Sequence, residues 1–277
     1  MNRIISNILI ILIILIILII IIIYNILKKS NSWEAPSITH INNIIDNSHF
    51  FRRMTRLDLL ARNTISQEDY IKTYKANIKL FTLDEEKLLD SLIKEINAKY
   101  IENYYRLKKI KWKFVKINES IEHGFAHTIG DSIFLSSNFF KNPRINQIET
   151  LIHEKIHVFQ RFYPIENAKL ITSLGFKHFN TQTAYLNIRN NPDTDSFVYI
   201  NGETVQAQIY NSNTPNSITD SHTTQIIGKI PWNIPSSIHQ HDHPNEINAC
   251  GISQQIVGNL SEHPYKQKII LWIKEFL

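Results

Sequence analysis

The most conspicuous pattern along the chain is an apolar run near its start. Positions 8–23 are all Ile or Leu, and the wider stretch 4–27 contains only three polar residues, Ser, Asn and Asn. A helix rises about 1.5 Å per residue, so a stretch of this length can cross the roughly 30 Å of hydrocarbon in a bilayer. No small-residue cleavage pattern of a signal peptide follows the run. The pattern predicts a single-pass membrane anchor over residues 1–29 that contacts lipid through residues 4–27.

Charge along the chain bears on the orientation of this anchor and on the class of partner. The formal net charge is +5 and the pI is about 9.1. Arg3 precedes the apolar run, whereas Lys28 and Lys29 follow it, so the positive-inside rule gives no orientation. These three residues carry +3, which leaves +2 for the rest of the chain. The near-neutral remainder argues against a nucleic-acid partner despite the basic pI.

Helical periodicity dominates the first part of the chain beyond the run. Residues 30–49 are polar and mixed, which favours a tether that leads into a folded domain over residues 50–277. Apolar positions three and four residues apart then predict helices over residues 50–110. Thr82 and Glu85 have the spacing of a capping box, which marks a helix start. We expect these helices to form a scaffold for the rest of the domain.

The pattern changes over residues 111–277, where short alternating segments predict strands. Residues 124–136 predict a hairpin that turns near Gly130 and Asp131, and residues 197–210 predict a second hairpin. Residues 211–237 are polar and contain three prolines, which favours a long loop. The expected fold class is α+β, with an N-terminal transmembrane helix, a helical scaffold, a small antiparallel sheet and the helices that carry the chemistry.

The clearest chemical signal is His153-Glu154-x-x-His157, which lies in an amphipathic helical pattern between Pro143 and Pro164. Residues four apart on a helix project from one face, so one Zn²⁺ ion can bind both imidazoles. Glu154 can then take a proton from a water that the zinc ion activates. This arrangement predicts metal-assisted hydrolysis, most often of a peptide bond. The alternative interpretation is a pair of core or surface histidines beside an exposed Glu.

A catalytic zinc site needs a third protein ligand, and the residues leave several choices open. Pro244 fits the first turn of a helix, with Asp242 or His243 near its N-cap. Glu246 would project from that first turn, and the small Ala249 would let the helix approach closely. The competing ligands are a turn glutamate and three alternating histidines, namely Glu203, His239, His241 and His243.

The first motif, followed downstream by Asn245-Glu246-x-x-Ala249, resembles the gluzincin clan of zinc metallopeptidases. The resemblance implies zincin-like active-site helices, zinc held by His153, His157 and Glu246, and Glu154 as the general base. It also implies a Tyr or His that stabilises the oxyanion, and the alternatives are Tyr199, Tyr210 and His243. The resemblance covers two short motifs within residues 145–257. Their separation is much larger than in the best-known members, which predicts a substantial insertion.

Two further expectations concern the surroundings of the zinc site. Zinc-binding histidines need acceptors for their second N–H group, and Asp193, Asp195 or Glu149 could provide them. In zinc peptidases an edge strand before the zinc helix commonly binds substrate through main-chain hydrogen bonds, which would place His127 and Thr128 near the cleft. An ordinary hairpin is the alternative for these two residues.

Three functions follow from these patterns. The first is a membrane-anchored zinc-dependent metallopeptidase that hydrolyses peptide or protein substrates with Glu154 as general base. The second is a catalytically inactive zincin-fold binding module. The third is a DNA-associated metalloprotease, which the near-neutral charge of the domain disfavours.

Cys250 is the single cysteine of the chain, so an intrachain disulfide is excluded.

Overall fold

The structure is a computed structural model that describes residues 13–19, 32–181, 185–227, 243–260 and 263–277. Over these residues the chain mixes helices with two small four-stranded sheets. The predicted site residues lie within these ranges, apart from His239 and His241, which belong to the stretch 228–242 that the structure does not describe.

The predicted membrane anchor is the main point on which the structure differs. Within the described part of the chain, no helix combines the length and the apolar character needed to cross a membrane. This finding contradicts the predicted transmembrane anchor over residues 1–29 and the single-pass membrane location that rested on it. The described residues 13–19 are helical. Residues 1–12 and 20–31 lie outside the described residues.

The N-terminal part of the domain is helical, as the periodicity predicts. It contains α1 (Ile38–Asn47), α2 (His49–Arg52), α3 (Arg56–Ala61), α4 (Gln67–Ala76) and α5 (Leu83–Glu95). The capping box of Thr82 and Glu85 at the start of α5 is confirmed. The tether predicted over residues 30–49 instead contains α1, because Ser37 caps this helix and Ile41 and Ile45, four residues apart, bury one face of it.

The first sheet packs against these helices through one of its faces. Its strands are β1 (Ile78–Lys79), β2 (Phe114–Ile117), β3 (His127–Ile129) and β4 (Ser132–Leu135), in the order β1-β2-β4-β3. The predicted β3–β4 hairpin is confirmed, and its turn uses Gly130 at φ 60°. The sheet is mixed rather than antiparallel, because β2 and β4 pair in parallel. A short helix, α6 (Tyr105–Lys109), precedes β2, and α7 (Ser137–Phe140) follows β4.

Four helices form the next layer: α8 (Arg144–Phe162), α9 (Pro164–Ser173), α10 (Pro244–Val257) and α11 (Lys266–Phe276). α8 packs against β3 and β4, and the other three pack on α8 or on one another. The site residues lie on α8 and α10. Alternate residues of β4 serve the two faces: Ile133 and Leu135 pack in the core cluster of α8 and α10, whereas Phe134 packs with α1, α2 and α4. The first sheet is therefore buried between the N-terminal helices and the site helices.

Between α9 and α10 the chain forms a second sheet, which is antiparallel. Its strands are β5 (Phe176–Thr181), β6 (Phe197–Asn201), β7 (Thr204–Tyr210) and β8 (Ser221–Ile227), paired in sequence order. The hairpin predicted over residues 197–210 is confirmed as β6 and β7. The loop predicted over residues 211–237 is wrong in part, because β8 lies inside it and pairs with β7.

Candidate metal centre

Three side chains from two helices converge on one point. The Nε2 atoms of His153 and His157 on α8 are 3.0 Å apart, and each lies 3.4 Å from Oε2 of Glu246 on α10. Helix geometry aligns the two histidines because they are four residues apart. Glu246 reaches them because Pro244 begins α10 and places the glutamate in its first turn. The structure thus brings together the three residues that the gluzincin resemblance implies as ligands.

The spacing of these atoms suits a small divalent cation. An ion with tetrahedral bonds of about 2.0–2.1 Å holds its ligand atoms about 3.3 Å apart. The three observed separations are close to this value. Oε2 of Glu246 is buried and, beyond its 3.4 Å approach to the two imidazoles, makes no hydrogen bond among the described residues. A buried carboxylate is costly unless it meets a cation. His153, His157 and Glu246 therefore fit a Zn²⁺ site by distance, donor type and unmet bonding.

The charge of the Glu246 carboxylate also favours a cation between the three atoms. Burial disfavours the charged imidazole of His157, but the Glu246 carboxylate outweighs burial and raises the pKa of His157 to about 9. The same contact outweighs burial at Glu246 and holds its pKa well below the usual value. A proton on His157 and a divalent cation between the three atoms are alternative ways to balance the Glu246 charge.

Gln160 fixes the orientation of His157. Its Oε1 accepts a hydrogen bond from Nδ1 of His157 at 2.9 Å, and its Nε2 donates to the main-chain oxygen of Asn245, also at 2.9 Å. The Nδ1 proton leaves the lone pair of His157 on Nε2, the atom that faces Glu246. Gln160 thereby joins the two helices of the centre beside the ligands.

This acceptor was not among the residues expected from sequence. The acceptor of His157 is Gln160, so the expectation of Asp193, Asp195 or Glu149 is wrong for this histidine. The signal that could have found it is its position three residues after His157, which places the amide on the same helix face.

Glu154 lies beside the converging atoms and is buried. Its Oε2 has no hydrogen-bond partner within the described residues. Burial and the charge of Asp193 hold the pKa of Glu154 well above its ordinary value. A buried carboxylate oxygen without a hydrogen-bond partner, beside a candidate metal centre, is suited to accept a proton from a reacting water.

An open cleft gives access to this side of the centre. It has a volume of about 760 Å³ and includes His153 and Glu154 in its wall. Phe125, which is 52% exposed, contributes an apolar surface to the same cleft. The rest of the wall is largely polar and includes Asn138, Asn142, Asn146, Glu149, Thr150 and Cys250.

The strand that was expected to bind substrate is already bonded. β3 is an edge strand, but the main-chain N–H of Thr128 donates to Oδ1 of Asp193 at 2.7 Å, and its carbonyl oxygen accepts from Arg161 at 3.2 Å. His127 is buried, with its ring bonded to the Tyr74 hydroxyl. The ordinary-hairpin alternative therefore describes these two residues, because side chains occupy the edge that a peptide would use.

Tyr199 and His243, expected near the oxyanion, belong to a cluster around Asp195. The Tyr199 hydroxyl donates to Oδ2 of Asp195 at 2.6 Å, and Nε2 of His243 lies 3.1 Å from Oδ1. Nδ1 of His243 accepts from the main-chain N–H of Asn245, so His243 is the N-cap of α10. Tyr199 lines a second cavity of about 670 Å³ that also reaches His157. Their role as oxyanion donors stays a prediction.

The other predicted site residues lie elsewhere or are not described. Glu203 is exposed in the turn between β6 and β7 and is not part of the convergent group. The Tyr210 hydroxyl donates to Asp58 and contacts Arg62, which ties it to the N-terminal helices. His239 and His241 lie outside the described residues.

Comparisons with protein-family models, with curated proteins and with solved structures find no match to this chain. The chemistry of the centre therefore rests on its own residues.

Proposed function

We propose that this protein is a zinc-dependent hydrolase of the metallopeptidase type. The observation that carries the proposal is the convergence of His153, His157 and Glu246 on one point, with the unpaired carboxylate of Glu154 beside it. Two imidazoles and one carboxylate are a ligand set of catalytic zinc sites, which leave a fourth position for water or substrate.

The residues of the chain then have distinct tasks. When bound, a zinc ion supplies Lewis acidity, which polarises a carbonyl and lowers the pKa of water. Glu154 accepts the proton from the attacking water and passes it to the departing amine. Gln160 accepts the Nδ1–H bond of His157 and so holds Nε2 as the nitrogen that would bind zinc. The cleft at His153 and Glu154 admits a peptide segment to the reacting position.

The first test measures zinc per chain in the purified chain of 277 residues. We expect one zinc per chain in the parent and a strong loss in His157→Ala and in Glu246→Ala. Glu203→Ala is the matched control, because it removes an exposed carboxylate that sequence alone left as a competing ligand. We expect this control to keep its zinc.

Activity is then measured on a mixture of internally quenched peptides. We expect hydrolysis that a zinc chelator abolishes and added Zn²⁺ restores. A folded parent without zinc would overturn the proposal, and so would zinc loss in Glu203→Ala but not in Glu246→Ala. Zinc binding without hydrolysis of any peptide would point to the inactive binding module instead.

A further inference from the structure

The two oxygens of Glu246 have different surroundings. Oε1 accepts a hydrogen bond from Nδ2 of Asn191 at 2.8 Å. Oε2 is the oxygen that faces His153 and His157 and has no hydrogen-bond partner in the described part of the chain. One carboxylate oxygen is thus held by protein and the other is left for a cation.

We propose that Asn191 is a positioning residue that makes Glu246 a ligand through a single oxygen. The inference rests on the proposed function, because it assigns a role at the same zinc centre. A carboxylate can bind a cation through one oxygen or through both. A hydrogen bond to Oε1 fixes the plane of the carboxylate and favours the single-oxygen mode, which preserves the fourth position for the reaction.

The orientation of the Asn191 amide is itself determined by its contacts. Its Oδ1 accepts a hydrogen bond from the main-chain N–H of Asp193 at 2.9 Å, so Nδ2 is the group that faces Glu246. The residue is buried. Its carbonyl oxygen accepts from Nη2 of Arg53 at 2.6 Å, which fixes the main chain at the same point.

The N-terminal helices hold the whole segment that carries Asn191. Arg53, which follows α2, also donates to the carbonyl oxygens of Thr194, at 2.8 Å, and Asp195. Asn190 is held from α3, because its main-chain N–H donates to Oδ1 of Asp58 at 2.8 Å. The segment that holds the carboxylate of the proposed third ligand is therefore itself held by helices that contribute no ligand.

The test compares the zinc affinities of two variants, each with one buried asparagine replaced, in the chain of 277 residues. Asn191→Ala removes the bond to Glu246. Asn167→Ala is the matched control, because Asn167 donates a buried hydrogen bond of 2.9 Å to the side chain of Asn245, the neighbour of Glu246, without touching the ligand. Zinc affinity is measured by competition with a chromophoric chelator, and the thermal midpoint of the metal-free protein is measured in parallel.

We expect Asn191→Ala to bind zinc about 10–100-fold more weakly, the range found when partners of metal ligands are removed. Asn167→Ala should stay within about threefold of the parent, although both variants lower the thermal midpoint. The protein loaded with Co²⁺ gives a second readout. Its visible absorption should weaken in Asn191→Ala alone, because Co²⁺ absorbs less strongly when a second carboxylate oxygen raises its coordination number.

Equal zinc affinity in the parent and Asn191→Ala, with one Co²⁺ spectrum for both, would overturn the positioning role while leaving the zinc site intact. Equal losses in the two alanine variants would also overturn it, because the effect would then be a general loss of packing. A parent that binds no zinc would instead overturn the proposed function.

Discussion

The role of Glu154 can be tested separately from the roles of the proposed metal ligands. Replacement of Glu154 by Gln keeps the volume and the packing of the side chain but removes the carboxylate that accepts the proton. Because Glu154 is not one of the three converging residues, Glu154→Gln should keep one zinc per chain. We expect its kcat to fall by about 10²–10⁴-fold, the usual contribution of a general acid–base. Steady-state kinetics on the best quenched peptide, with zinc content measured on the same sample, checks this.

The control for this variant is Glu149→Gln, which changes another carboxylate of the same cleft wall. It should change kcat by a much smaller factor. A Glu154→Gln protein that keeps full activity would exclude Glu154 as the general base.

Sequence reasoning reached the residues whose relation is local. His153 and His157 are brought together by the helix itself, so their four-residue spacing was sufficient. Glu246 needed the resemblance as well, because no local rule connects a residue on α10 to α8. Asn191 could not be predicted, since its contact with Glu246 depends on where tertiary packing places the loop between β5 and β6.

Among the elements, the segment just before α11 contains a titratable group whose burial affects stability. His263 is buried, and burial lowers its pKa from 6.5 to about 4. Its Nδ1 accepts a hydrogen bond from the main-chain N–H of Tyr265 at 3.2 Å, a bond that protonation of Nδ1 removes. Below pH 6.5 the unfolded chain therefore binds a proton that the folded chain excludes. Stability should fall as the pH drops from 6.5 towards 4.

From these two pKa values the loss between pH 8 and pH 5 is about 2 kcal/mol. Chemical denaturation at a series of pH values measures it. In His263→Asn, whose side-chain oxygen can replace Nδ1 as acceptor, this part of the pH dependence should disappear. An unchanged difference between pH 8 and pH 5 in the variant would assign the acid sensitivity to other groups.

Element boundaries were predictable where a cap or a turn fixes them locally, as at Thr82 and Gly130. Pairing was not, because the parallel contact of β2 with β4 joins segments separated by residues 118–131. The same limit explains β8: five of its seven residues are polar, and its pairing with β7 was not visible in the local pattern.

For the molecule as a whole, a buried ionic network connects the N-terminal helices to the rest of the domain. Arg62 donates to both carboxylate oxygens of Glu122, at 2.7 and 2.8 Å, and to the carbonyl oxygen of Asn190 at 3.1 Å. The side chains of Arg62 and Glu122 are 3% and 4% exposed. Removing one partner leaves the other charge buried and uncompensated.

We expect Arg62→Leu to lower the free energy of unfolding by about 3–5 kcal/mol. The double variant Arg62→Leu with Glu122→Leu should lose less than the single one, because it leaves no unpaired carboxylate at position 122. Denaturant titration of both proteins gives the comparison. A double variant that is less stable than Arg62→Leu would show that hydrogen bonds and shape, rather than charge balance, dominate this network.

The bonding of Thr128 also has a consequence for concentrated solutions. An edge strand with free N–H and C=O groups is a template on which a second molecule can extend the sheet. At the centre of β3, both main-chain groups are already bonded to the charged side chains of Asp193 and Arg161. We expect these two residues to hinder aggregation through β3. Nη2 of Arg161 and Oδ1 of Asp193 form an ion pair at 3.7 Å, and a neighbouring copy would have to displace it before it could add a strand there.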